Sequence, residues 1–222
     1  MGETIRLKTE DGHELAAYRV APAGKPRGAL VVVQEIFGVN HHMRAVADGF
    51  AAAGYLCVAP AIFDRIERGV ELGYGPDDIA RGRELRGRIE WPATLADIAA
   101  AVPVAKAGGK VGVVGYCWGG SVAWRAATSV PGVAAAVCYY GGAIAPFRHE
   151  HAKCPVMMHF GTRDASIPMT DVAQIQEAQP KVEYHIYDAE HGFSCDERKS
   201  FDKAVHEQAL ARTLAFFATH LS

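Results

Sequence analysis

Short apolar runs alternate with helix-compatible stretches through most of this chain, and that alternation leaves few folds open to it. The runs lie at 29–33, 55–59, 110–114, 133–140, 155–160 and 182–187. Met43, Val46, Ala47 and Phe50 recur at helical spacing after the first run, and further helical segments are expected over 76–88, 92–106, 121–129, 170–178 and 201–220. A run that is apolar along its whole length is a strand buried on both faces, and strands alternating with helices build a mostly parallel sheet flanked by helices on both faces. The segment 4–20 alternates weakly about Asp11-Gly12 and reads as an N-terminal hairpin. The fold class is therefore α/β. With 222 residues, half of them apolar, the chain holds one large core, so a single domain over 1–222 is expected.

One junction between a run and a helix carries chemistry. The run at 110–114 leads into Gly115-Tyr116-Cys117-Trp118-Gly119-Gly120, and a helix-compatible stretch follows. A sharp strand-to-helix turn flanked by glycines lifts its central side chain above the sheet, in a backbone conformation that neighbouring Cβ atoms would obstruct. The serine of the Gly-x-Ser-x-Gly elbow is here a thiol, Cys117. The helix start behind it favours a thiolate or an oxyanion, and the Trp118 N–H is placed to donate to the latter.

Composition excludes several other classes. The formal net charge of −2, with both signs interspersed, supplies no basic field for nucleic acid, and a small-molecule partner fits better. The five cysteines, Cys57, Cys117, Cys138, Cys154 and Cys195, have no CxxC spacing, which argues against a disulfide framework or a zinc finger. The N-terminal residues lack the basic-then-apolar pattern of a signal peptide, so a reducing, cytoplasmic setting is expected. The uncharged stretch 129–147 is interrupted by Pro131, Gly141, Gly142 and Pro146, and a buried strand explains it better than a membrane span.

An open α/β sheet builds its site from loops beyond the carboxyl ends of its strands. Glu35, Cys117, Asp164 and His191 all follow expected strands, so the fold should gather them at one edge. Asp164 lies in Gly161-Thr162-Arg163-Asp164, and His191 in Asp188-Ala189-Glu190-His191-Gly192-Phe193. The order nucleophile, acid, histidine is that of α/β-hydrolases. In this scheme His191 moves the proton, and Asp164 fixes its tautomer and stabilises the imidazolium.

With those segments, and with Gln34-Glu35-Ile36-Phe37-Gly38 and Tyr139-Tyr140-Gly141, the chain resembles the dienelactone hydrolase family over nearly its whole length. The resemblance implies an α/β-hydrolase fold, a Cys117-His191-Asp164 triad, and an oxyanion hole from the backbone N–H groups of Ile36 and Trp118. It also implies that Glu35 pairs with the resting thiol and helps convert it to a thiolate when substrate displaces the acid. Dienelactone hydrolases hold a substrate carboxylate with arginines, one of them four residues after the histidine. Cys195 occupies that position here. Arg198, with Arg81 or Arg83, is the available replacement, and neutral esters or lactones are expected to compete well with anionic ones. Phe37, Tyr139 and Tyr140 are candidate walls of the substrate pocket.

The expected activity is cofactor-free hydrolysis of small esters or lactones through an acyl-cysteine, in a monomer or small homo-oligomer. The same triad also suits a broader thioesterase or acyl transferase, and the fold alone suits a non-catalytic binding protein or a thiol sensor. His41-His42 and His149-x-His151 lack a third ligand at recognisable spacing and read as surface or capping histidines, so no metal is expected.

Overall fold

The computed structural model describes residues 2–222. Its centre is an eight-stranded sheet in which β1 (Glu3–Lys8) and β2 (Glu14–Val20) form the expected hairpin at one edge. The strands β3 (Ala29–Val33), β4 (Leu56–Pro60), β5 (Val111–Tyr116), β6 (Val133–Tyr139), β7 (Val156–Gly161) and β8 (Glu183–Tyr187) follow the apolar runs. The spatial order is β1-β2-β4-β3-β5-β6-β7-β8, with β3 to β8 mutually parallel and β2 antiparallel to β4. The central strands β3, β4, β5 and β7 are buried at every residue, the sign of a sheet covered on both sides.

Helices α1 (His41–Ala52) and α6 (Lys203–Leu221) lie on one face and share a cavity, whereas α3 (Trp91–Ala105) packs with α4 (Trp118–Ser129) on the other. Helix α2 (Pro76–Gly87) packs against the loop after β3, and α5 (Met169–Ala178) precedes β8. Apolar residues at helical spacing in α1, namely Met43, Ala47 and Phe50, face the core, and the Asn40 side chain caps the helix by accepting from the Met43 N–H.

Most boundaries shift by a residue or two from expectation, and three of the differences have a visible cause. Helix α4 begins at Trp118 rather than Ser121, because Cys117 absorbs the whole reversal and the helix starts at once. Helix α6 begins at Lys203 rather than Phe201, because the Asp202 side chain accepts from the Val205 N–H and fixes the start. Tyr140, expected within the strand, lies beyond β6 with φ 38°, a turn that redirects the chain at the sheet edge. Among the described residues, no helix is long and apolar enough to cross a membrane.

Candidate active site

The carboxyl ends of β3, β5, β7 and β8 form a common edge, and the loops beyond them carry the chemistry. At the end of β5, Cys117 has φ 56° and ψ −116°, a left-handed conformation that costs a non-glycine residue roughly 1–3 kcal/mol. Neighbouring glycines make it feasible. A Cβ on Gly115 would lie 1.9 Å from the Gly119 carbonyl oxygen, and one on Gly119 would lie 2.4 Å from that of Val33. The Cys117 N–H donates to the Tyr139 carbonyl at 3.0 Å, tying the elbow to the neighbouring strand.

Asp164 follows β7 and is buried. Its Oδ1 accepts from the Ser166 N–H at 2.7 Å, leaving Oδ2 to pair with His191 Nδ1 at 2.7 Å. Burial alone would push the His191 imidazole down, but the Cys117 sulfur and the Asp164 carboxylate outweigh it and lift the group to about 10. Both neighbours favour the charged imidazolium, which is held between a carboxylate and a sulfur. The Tyr140 ring meets the imidazole edge-on, with centroids 5.1 Å apart.

Cys117 and His191 open into a cavity of about 330 Å³, whose wall also includes Ile36, Phe37 and Trp118. Trp118 is the first residue of α4, where an amide has no carbonyl one turn earlier to receive it. Ile36 lies on the loop after β3, and a Cβ on Gly82 of α2 would stand 2.0 Å from the Ile36 carbonyl oxygen. Helix α2 thus rests directly on the Ile36 peptide and fixes its orientation. This contact is the one structural use of a glycine in a helix as charged as 81–88.

Several expected pocket residues lie elsewhere. Arg81 is turned away from the cavity and pairs with Glu67 and, at 2.6 Å, with Glu84, because those exposed acids satisfy it on the outer side of α2. Arg83, the other expected candidate, lines the cavity with Arg198, and so does Arg86, which was not expected. Tyr139 is buried beneath the site, where its hydroxyl shares a hydrogen bond with Thr213 at 2.7 Å, and Tyr140 lies under the imidazole, away from the cavity wall. The inward placement of Arg83 and Arg86, like that of Ser166 from the loop after β7, depends on how α2 and that loop cross the sheet edge, for which no local signal exists.

Glu35 is fully buried and is not part of the cavity wall. Its Oε1 pairs with Arg198 Nη1 at 3.3 Å, so the acid meets the cavity through an arginine rather than directly at the thiol. Burial opposes the charge on Arg198, but Glu35 and then Cys117 favour it and outweigh that cost. His42, expected at the surface, is buried, and its Nδ1 bonds Asp196 Oδ1 at 2.9 Å. His41, His149 and His151 are exposed.

A family model described as the dienelactone hydrolase family matches residues 15–221. A protein of Synechocystis sp., provisionally described as a carboxymethylenebutenolidase, is 34% identical over 94% of this chain and 93% of its own length. The carboxymethylenebutenolidase of Pseudomonas putida is 32% identical over 97% of this chain and 96% of its own. The crystal structure of a Klebsiella pneumoniae protein, provisionally described as a dienelactone hydrolase, superposes with a TM-score of 0.88 at 27% identity, covering 99% of both chains.

Proposed function

The chain belongs to the dienelactone hydrolase family, and from that premise we propose that this carboxylic ester hydrolase cleaves small esters or lactones through an acyl-Cys117 intermediate. The observation that carries the reading is the Asp164–His191 hydrogen bond of 2.7 Å beside a cysteine held at φ 56° on a strand-to-helix elbow. The thiolate attacks the carbonyl carbon, and the N–H groups of Ile36 and Trp118 receive the oxyanion. As the intermediate collapses, the leaving alkoxide takes the proton of the His191 imidazolium. The neutral imidazole then takes a proton from water, and the resulting hydroxide attacks the thioester. The released acid, thiolate and imidazolium restore the starting state, so one water is consumed for each ester bond broken.

The substrate is an ester or lactone that carries its own carboxylate. Arg83, Arg86 and Arg198 line the cavity opposite no acidic side chain, and an anion there gains charge-assisted hydrogen bonds. Arg198 thereby supplies what Cys195 does not. Its partner Glu35 acts as a positioning residue, holding the guanidinium until a substrate carboxylate competes for it.

The test is intact-mass analysis with a slow aryl ester. An acyl adduct mapping to Cys117, together with a turnover loss of several orders of magnitude in Cys117→Ala, is expected for removal of the nucleophile. An adduct on another cysteine, or unchanged turnover in the variant, overturns the mechanism.

A further inference from the structure

Behind the catalytic cavity, three buried side chains from separate segments bring unlike donor atoms together. Glu35 follows β3, His42 lies in the first turn of α1, and Cys195 lies beyond His191. A carboxylate oxygen, an imidazole nitrogen and a sulfur from these residues all stand within 4.8 Å of one another. Ordinary core packing does not account for the cluster, because Glu35 Oε2 is buried with no hydrogen-bond partner while Oε1 is held by Arg198. A buried carboxylate oxygen without a partner is costly unless something completes it.

His42 supplies the second observation. Asp196 occupies its Nδ1, which leaves Nε2 as the free ring nitrogen. A carboxylate fixing the outer nitrogen of an imidazole is the usual support of a metal-ligating histidine. His42 also lines a separate cavity of about 230 Å³ between α1 and α6, and exposed Ala45 and Gly49 at its rim give that cavity access to solvent.

We propose that Glu35, His42 and Cys195 form a binding site for a thiophilic divalent cation of the zinc type, with Asp196 as the outer partner of His42. The donor set decides the class of ion. Magnesium and calcium take oxygen ligands, whereas one sulfur, one imidazole nitrogen and one carboxylate oxygen suit zinc, with solvent in the fourth tetrahedral position. Tetrahedral ligand atoms about 2.0–2.3 Å from an ion stand about 3.5 Å from one another, so atoms that lie within 4.8 Å reach it by a small inward adjustment of the side chains. Cys195 binds as thiolate, and its proton passes to the buffer, one for each ion bound. The ion competes with Arg198 for Glu35, and Arg198 reaches the catalytic cavity. Occupancy should therefore slow hydrolysis, a consequence that rests on the hydrolase reading, whereas binding itself does not.

The site is tested by titrating metal-stripped protein with Zn²⁺ in a calorimeter and with Co²⁺ in a spectrophotometer. One site per chain, release of one proton and a sulfur-to-cobalt charge-transfer band are expected. Cys195→Ala and His42→Asn should abolish that site while melting near the wild-type temperature. Asp196→Asn, at an exposed position, should weaken it by about 10–100-fold. Zn²⁺ should inhibit the wild type but not Cys195→Ala. Absence of saturable binding in the wild type overturns the site, as does wild-type affinity in either ligand variant. Binding lost in Cys117→Ala but kept in Cys195→Ala also overturns it, since the ion would then sit at the catalytic thiol. Hydrolysis that fails while binding persists would count against the hydrolase reading alone.

Discussion

Arg198 Nη1 lies 3.3 Å from Glu35 Oε1, although 163 residues separate the two in the chain. The pair joins the loop after β3 to the loop after β8, and its arginine reaches the cavity that holds Cys117 and His191. A buried carboxylate is tolerated there because a cation meets it, and the cation remains available to a substrate anion.

Arg198→Ala strands a buried carboxylate. We expect a loss of stability on the order of 3–5 kcal/mol, the cost of removing one partner of a buried ion pair. Adding Glu35→Gln to that variant should recover part of it. Chemical denaturation of the wild type, the single variants and the double variant measures the coupling, and an additive result would show that the pair contributes nothing.

Substrate charge gives a second prediction. A lactone bearing a carboxylate should be hydrolysed faster than its methyl ester, and Arg83→Ala or Arg86→Ala should erase about one to two decades of that preference in kcat/KM. Arg81→Ala should leave the preference intact, because Arg81 faces Glu67 and Glu84 outside the cavity. Equal rates on the two substrates would return the reading to neutral esters.

The His191 imidazolium sets an alkaline limit. Its group titrates near 10, so kcat/KM should hold from neutral pH and fall as the pH approaches that value. Asp164→Asn removes one cause of the elevation and should bring the alkaline limb to lower pH. Stability follows the same sign. A cationic group raised from 6.5 to about 10 contributes stability that is fully present below pH 6.5 and is lost as the pH climbs through 10. Denaturation at pH 6 and pH 10 checks it, and no loss toward alkaline pH would contradict the assignment.

Gly82 offers a test of the oxyanion loop without touching a reacting group. Gly82→Ala places a methyl group against the Ile36 carbonyl and should tilt that peptide. Loss of one oxyanion donor costs about 10²–10³-fold in kcat, so a fall in kcat with KM nearly kept is expected. A fall confined to KM would mean that α2 shapes the pocket rather than the Ile36 amide.

The alternating apolar runs were enough to specify a largely parallel sheet, since strands buried on both faces leave little freedom in their pattern. Glycines about Cys117 marked the elbow because close backbone approach admits no side chain there. Asp164 and His191 were legible from their places after β7 and β8, for a parallel sheet collects the loops beyond its strand ends on one edge. Direction within that edge was not legible. Arg81 and Arg83 differ by two positions on α2, yet one meets outer acids and the other faces the cavity, a difference set by how the helix rests on Ile36. His42 and Cys195 carried no shared spacing. Only the packing of α1 beside the loop after β8 brought them to Glu35, because contacts between distant segments are decided by tertiary closure and leave no period in the sequence.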